Sequence, residues 1–556
     1  MKNKLLILIS FFVISVLHLS CSKDVLDKVP LDSYTDASVW SDLKLSEAYA
    51  NNLYNILPNP MHQWDNTTNR TWALSSACDE SYNKFNDYNA VTINSGAATP
   101  DNVGIFDVWA PTYSIIQNCN IFISKIDKVP GDDAWRSRLK GEVTFLRAYG
   151  YFKLIRDYGG VPLITTPFDL NSDFKVSRSS YDECVGFISK ELDTAANLLP
   201  LVQSSANFGR ATKAAALAIK STVLLYAASP QWNPSNDMAK WQKASGAAKA
   251  VIDLNAFQLY TGNYADIFTT QNSELILTHL TNKQYMWDAF VGVEMFLSPS
   301  GFHGWASFAP SQNLVDAFCT ADGKEITDPT SGYNPQNPYV NRDPRFSADI
   351  VYDGRPYGQP AFFQDRYNVG STNAAEFYEG GLDSPQGWDT WNNSVTRYTF
   401  RKYCDTAFNF NTETQTNKFW IISRIAEIYL NYAEAQFYLG HEEVTRQYLD
   451  LIRHRAGITT NLTETGTALE KRLRNERQVE LCLEGHRYYD VRRWKIADIT
   501  ENKPLMGVVI TKNSNGTKTY NYTQVQTRVF NPQDYLLPIP RDEINRSALT
   551  QNPGYN

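Results

Sequence analysis

Between residues 107 and 254 the chain repeats one pattern: a run with apolar residues at helical spacing, a stop, and another such run. Residues 107–128 carry Trp109, Tyr113, Ile116, Ile123 and Ile126 and are closed by Pro130 and Gly131. Residues 132–158 carry Trp135, Leu139, Val143, Leu146, Tyr149, Leu154 and Ile155 and stop at Gly159, Gly160 and Pro162. Ser180 caps a third run through Leu199, residues 212–228 are an alanine-rich fourth, and residues 241–254 a fifth, with Ala244, Ala247, Ala248 and Val251 as small contact residues. A helix with one apolar stripe cannot bury it alone, so consecutive antiparallel helices with small and large residues at turn spacing must stack on their neighbours. The pattern predicts a mainly α fold, a tetratricopeptide-like helical-repeat scaffold. Further helices are expected over residues 38–57, 419–439, 442–455 and, as one long arm, 467–496, with 528–540 closing the fold.

Two stretches break the period. Residues 61–102 are rich in Asn, Asp, Thr and aromatics. Residues 255–418 gain Gly, Pro and aromatics and hold only isolated strand-like pieces such as 274–279. So long an irregular segment inside a folded chain is usually functional. The expected organisation is therefore a helical region over 37–254, a large loop-rich insertion over 255–418 that forms the ligand face, and a second helical region over 419–556.

The first twenty residues are an address. Lys2 and Lys4 precede an apolar run of about 15 residues, shorter than the roughly 20 of a spanning helix, which is the layout of a secretory signal. The run ends in Leu17-His18-Leu19-Ser20-Cys21, which resembles a lipobox apart from His18. Cys21 is expected to become the lipidated N-terminus, with 1–20 removed and 21–36 acting as a tether; ordinary secretion with a free Cys21 is the alternative. Removal of Lys2 and Lys4 takes the formal net charge from −7 to −9. With no run of Lys or Arg, the chain lacks the basic footprint that nucleic acid requires.

Catalytic chemistry finds no support. The seven cysteines contain no C-x-x-C pair, and the H-E-x-x-H pattern begun by His441 and Glu442 fails at Thr445. Neither G-x-S-x-G nor a phosphate loop occurs, and Gly159-Gly160 follows a helix, where it terminates instead of cradling phosphate. Glu476, Arg477, Glu480, Glu484, Arg487, Asp490, Arg492 and Arg493 alternate in sign at helical spacing and read as charges that pin a helix to its neighbours. No catalytic residue, metal ligand or cofactor is assigned.

The aromatics are more informative: 13 Trp, 32 Tyr and 28 Phe make up 13% of the chain. Trp109, Trp135, Trp241, Trp420 and Trp494 lie in helical periods and read as core. Trp64, Trp72, Tyr82, Tyr285, Trp287, Phe302, Trp305, Trp388 and Trp391 lie in polar, irregular segments. A pyranose presents apolar C–H faces and equatorial hydroxyls, so it suits an aromatic platform beside amides and carboxylates. Asn66, Asp79, Glu80, Asn83 and Gln284 could supply those. The candidate binding residues are Trp287 first, flanked by Tyr285, Gln284 and Asp288, then Tyr285, Trp305, Trp64, Trp72, Asn66, Asp79 and Tyr82.

Two blocks carry a family resemblance: LRAYGYFKLIRDYGGVPLI at 146–164 and NERQVELCLEGHRYYDVRRW at 475–494. Both resemble the SusD/RagB family, as do PSQNLVDAFCTADGKEI at 310–326, DPRF at 343–346, RIAEIYLNYAEA at 424–435 and LLPIPRDEI at 536–544. The resemblance implies a surface-exposed, lipid-anchored outer-membrane protein of Bacteroidetes. Such a protein sits as a lid on a SusC-like, TonB-dependent barrel transporter and delivers oligomeric nutrients, usually glycans, without catalysis. It also implies a ligand face built from 64–82 and 285–305. Capture of peptides, as in RagB-like members, is the alternative binding function, in which extended backbones pair along an exposed edge. A secreted glycosidase is the third reading and would need two carboxylates roughly 5–9.5 Å apart across a cleft.

Overall fold

Each helical run carries its own start signal. Asp132 accepts a hydrogen bond from the Trp135 amide, Ser180 and Glu183 form a reciprocal capping box, and Thr212 and Asp237 accept from the Ala215 and Ala239 amides. A computed structural model describes residues 36–60, 70–84, 90–169, 175–281, 293–358, 373–406, 418–547 and 549–555. The signal, Cys21 and the tether to residue 35 lie outside the described residues.

The principal helices are α1 (Leu43–Leu53), α2 (Arg70–Ser76), α3 (Trp109–Lys125), α4 (Asp133–Tyr158), α5 (Tyr181–Leu198), α6 (Lys213–Ala228) and α7 (Met238–Ile252). After the insertion come α8 (Ile425–Tyr438), α9 (Glu442–Arg455), α10 (Gly466–Glu480) and α11 (Arg487–Arg493). From α3 to α7 each helix packs on the next, and α7 then packs on α8 although residues 253–424 intervene. The stack is thus continuous while the chain leaves it and returns. The fold is mainly α, a tetratricopeptide-like helical-repeat scaffold, and the segment that leaves the stack packs Phe308, Phe346 and Tyr398 into the same core as the helices.

Small residues set the spacing. Gly141 lies against Leu198 and Leu199, and Gly150 against Ile56 and Ile116, so closely that an added Cβ would come within 2.8 Å of Leu198 and 2.6 Å of Ile56. At the end of α4, Gly159 adopts φ +75°, a conformation that L-residues rarely take, and Gly160 admits the Ser179 carbonyl at a distance no side chain would allow.

Strands occur in antiparallel pairs. β1 (Ser81–Asn83) pairs with β3 (Phe308–Pro310), β2 (Leu275–Thr281) with β6 (Lys418–Arg424), β4 (Ile350–Val351) with β5 (Thr399–Phe400), and β7 (Leu505–Lys512) with β8 (Lys518–Gln526). Three expectations are corrected here. The strand expected near residue 274 is not isolated: it is β2. The helix expected to start at Phe419 starts at Ile425, because the aromatic and β-branched run Phe419-Trp420-Ile421-Ile422 completes the ladder with β2. The arm expected over 467–496 breaks between α10 and α11, where Leu483 and Gly485 take φ +60° and +80°. The β7–β8 hairpin, closed by Asn513 and Gly516, was not anticipated at all.

The break in the arm places charge. Glu484, freed from helical geometry, turns inward and receives the Arg424 guanidinium at 2.8 Å and the Lys402 amine at 2.9 Å. Arg424 also donates to Glu274 at 2.7 Å and Glu480 at 2.6 Å, Arg345 joins Asp343, Glu476 and Glu480, and Arg455 joins Glu274 and Glu480. All of these side chains are buried, and they come from the entry to β2, the 343–345 segment, the β5 exit and β6 on one side and from α9, α10 and the break after α10 on the other. The charges therefore fasten the insertion to the helical stack, through partners distant in the chain instead of helical neighbours. Burial pushes the Glu484 carboxyl up, but Arg424 and Lys402 outweigh it and hold the group at about 2; Arg455, Arg424 and Arg345 likewise hold Glu480 well below the carboxylate range.

Candidate functional site

Among the described residues of the insertion only a few large apolar side chains reach solvent, and two of them are indoles in one turn. Trp391 is 70% exposed and Trp388 43%. Their loop is built from the inside outward. The buried Asp383 accepts the Gly301 amide at 2.8 Å through one oxygen and the Glu376 amide at 2.7 Å through the other, tying the 300–303 turn to the 376–391 segment. Trp388 donates its amide to the Leu382 carbonyl at 2.9 Å. Gly387 sits so close to the Gly381 carbonyl that a Cβ would be 2.2 Å away, so this tight turn needs glycine.

Asp389 then orders the tip. One carboxylate oxygen accepts the amides of Trp391 at 2.8 Å and Asn392 at 2.9 Å, and the other accepts the Asn392 side chain at 2.8 Å. Partial burial opposes the charge, but these hydrogen bonds and the nearby Lys84 keep the Asp389 carboxyl below its usual range. Lys84 extends β1 by donating its amide to the Ser307 carbonyl at 3.0 Å, and its amine reaches the carbonyls of Trp391 and Asn393. Its partial burial lowers its pKa, against the pull of Asp389. Tyr82 stands two residues earlier on the same side of β1, half-buried, because strand side chains alternate. The His303 ring stacks on Trp388 at 5.9 Å and 22°, presented by a backbone with φ +63°. The result is a solvent-facing platform of indole and imidazole, flanked by exposed Gln386 and Thr390, on a backbone with its own hydrogen bonds.

The sequence-derived candidates fall into three groups. Trp64, Asn66, Tyr285 and Trp287 lie outside the described residues, as does Gln284. Tyr82 and Trp305 are half-buried; Trp305 packs beside Phe296, with ring centroids 6.4 Å apart, and belongs to the same loop cluster. Trp72 and Asp79 are corrections. Trp72 is 1% exposed, its indole N–H bonded to the Pro60 carbonyl and its ring enclosed by Trp420 at 5.2 Å, Tyr403 at 6.2 Å and Phe308 at 6.5 Å, which leaves no face for a ligand. Asp79 forms a bidentate ion pair with Arg487 at 2.7 and 2.8 Å, so its carboxylate is committed to holding α11. Glu80 is also buried, and burial together with the Asp79 charge pushes it up to about 8.

Trp388 and Trp391 belong to the aromatic pool of the irregular segments but stand outside the candidate binding set. The usable signal was their company: Gln386, Asp389, Thr390 and Asn392 surround them, and Gly387 marks a turn. Among the described residues no group of His, Cys, Asp and Glu is placed to hold a metal ion, and the six described cysteines are buried and unpaired. No described helix is long and apolar enough to cross a membrane.

The profile described as SusD family matches residues 274–555, and one described as starch-binding, associating with outer membrane, matches 26–225. A SusD-like protein of Formosa agariphila is 25% identical over 470 residues, 80% of this chain and 77% of that protein. A SusD-like protein from Bacteroides fragilis superposes with a TM-score of 0.78 at 30% identity, covering 95% of this chain and all of the other. A second B. fragilis structure, a SusD-like carbohydrate binding protein, gives 0.73 at 23% identity over 91% of this chain and 98% of that one. A single profile spans the insertion's core, the charge network and the C-terminal helices, and on that ground the chain belongs to the SusD family.

Proposed function

We infer that this chain captures oligosaccharides at the outer membrane, without catalysis, and passes them to a partner SusC-like, TonB-dependent barrel transporter. The observation that carries the reading is the Trp388–Trp391 turn. Two exposed indoles are otherwise a liability for solubility, and here they are held out by hydrogen bonds to their own backbone. An ordered aromatic surface suits the C–H face of a pyranose, while Gln386, Thr390 and Asn392 offer hydroxyl and amide groups to the ring edge. The starch-binding description of the matching profile and the carbohydrate-binding relative support the same choice.

Tyr82, His303 and Trp305 border the platform. Trp287 and Tyr285, shortly before Val293 in the chain, and Trp64 and Asn66, shortly after Pro60, remain in the proposed ligand face. Cys21 anchors the mature chain through acyl groups, so the body stays in water at the cell surface while the lipid holds the membrane.

Titration calorimetry with the oligosaccharide that induces the gene tests the platform. Trp391→Ala should lower affinity about five-fold to over a hundred-fold, the ~1–3 kcal/mol of a central aromatic contact. Unchanged affinity for that variant and for Trp388→Ala, in folded protein, would refute the platform, and binding of an oligopeptide instead would establish the RagB-like alternative. Affinity capture after detergent extraction tests the partner: recovery without a barrel protein would refute delivery.

A further inference from the structure

Away from the platform, a cavity of about 200 Å³ opens between α3, α4, the 55–58 loop, β6 and the Glu484–His486 turn. Asn55, Pro111 and Ile115 stand at its mouth, and its walls include Ile56, Leu57 and Leu74. Two polar groups inside are unanswered. The Thr112 side chain is 1% exposed, and its hydroxyl has no hydrogen-bond partner. Arg156 lies with its guanidinium carbon 4.7 Å from the Phe152 ring centroid and 4.2 Å from that of Tyr489, yet among the described residues its Nε has no acceptor and it forms no ion pair.

Buried arginines without a carboxylate, Arg342, Arg397 and Arg492, donate to backbone carbonyls, whereas Arg156 makes no such bond among the described residues. Arg345, Arg424, Arg477, Arg487 and Arg493 are each matched by carboxylates in the interior. Among the described residues the one carboxylate on the wall, Glu484, is already neutralised by Arg424 and Lys402; Lys153 adds a second cation there, and Asp157 acts on Arg156 from outside the lining. The cavity is left with net positive character. A guanidinium stacked on aromatic rings is rigid and presents a planar fork of N–H donors, the geometry that matches a carboxylate with two parallel hydrogen bonds.

We propose that this cavity binds a small organic acid, its carboxylate on Arg156 and the Thr112 hydroxyl and its apolar body against the Ile56, Leu57 and Leu74 wall. The volume lies below the roughly 300–1,000 Å³ of sites for drug-sized molecules, which limits the body to a single ring or a branched chain. An inorganic oxyanion would leave the apolar wall unused, and a sugar acid would set its hydroxyls against it. Thr112, Arg156 and their wall take no part in the proposed glycan platform, so the inference stands independently of it.

Benzoate is the probe, titrated into the full mature chain and followed by calorimetry and thermal melts. Benzoate should bind and raise the melting temperature, whereas benzamide, its neutral counterpart, and inorganic phosphate and glucuronate should each bind at least about ten-fold more weakly. Thr112→Val, which keeps the shape, should weaken benzoate about three- to ten-fold and leave oligosaccharide capture unchanged. Arg156→Met should weaken it more than ten-fold; Arg156→Lys, which keeps the charge but loses the fork, should fall between. Should the methionine variant fail to fold, the valine and lysine variants decide. No benzoate binding, benzamide binding equally well, tighter binding of phosphate or glucuronate, or an affinity unmoved by the folded variants would each overturn the assignment.

Discussion

Arg424 and Trp391 sit in regions that spend similar residues in opposite ways. Around Arg424, buried charges from β2, β6, α9 and α10 answer one another, and no polar atom of that guanidinium is left to solvent. Around Trp391, Asp389 and Lys84 satisfy backbone amides and carbonyls while the indole stays in water. In the first region side-chain chemistry is consumed in joining segments. In the second, backbone chemistry holds the loop so that a side chain stays available. Charged and aromatic residues thus mark structure or function according to whether their partners are inside the protein.

The largest expected effect breaks the first region. Arg424→Met leaves Glu274 and Glu484 each short of a cation in the interior, and should destabilise the protein by about 3–5 kcal/mol in urea unfolding at pH 7. Loss of less than about 1 kcal/mol would mean that the network is dispensable. Trp72→Ala and Trp391→Ala sharpen the contrast directly. The first should lower stability by about 3–5 kcal/mol through the cavity it opens beside Trp420 and Tyr403. The second should change stability by no more than about 0.5 kcal/mol and act on affinity alone; thermal melts beside the titrations separate the two.

Acid should also distinguish the regions. Glu484 ionises at about 2 in the folded protein against an ordinary value of 4.5, so its stabilisation is present above that ordinary value and is lost as pH falls from about 4.5 towards 2. Unfolding measured at successive pH values should show this decline, on the order of 2–3 kcal/mol from this group, and a flatter acid limb in Arg424→Met. Glu80 runs the other way: raised to about 8, it contributes stability at low pH that is lost as pH rises from about 4.5 to 8, and Glu80→Gln should remove that alkaline loss. The smallest effect concerns the platform's support. Asp389→Ala frees the Trp391 and Asn392 amides at an exposed site, and should weaken oligosaccharide binding by about 1 kcal/mol with little change in melting. An affinity equal to wild type would show that the turn holds itself.

Legibility followed the range of the forces. The runs from α3 to α7 were readable because apolar period, caps such as Ser180 and stops such as Gly159 act within a turn or two of the residues they control. The start of α8 lies nearly two turns after the start that the apolar period suggests, because the residues before Ile425 are largely apolar in either state and pairing with β2, far upstream, makes them a strand. The break before α11 had a local sign in Gly485, masked by the charge periodicity on both sides of it. Within the aromatic pool, Trp72 and Trp391 look alike in their flanking residues.

The sequence by itself determined the mainly α scaffold and an excess of aromatic residues in the irregular segments. Those properties are sums of local preferences, and each can be counted along the chain. Tertiary structure alone decided which rings face solvent and which carboxylates are free. Trp72 is enclosed by Trp420 and Tyr403, and Asp79 is taken by Arg487, 408 residues away along the chain. Burial and ion pairing depend on what arrives from elsewhere, so no window of sequence around Trp72, Asp79 or Trp391 contains the enclosure, the ion pair or the exposure that sets its role.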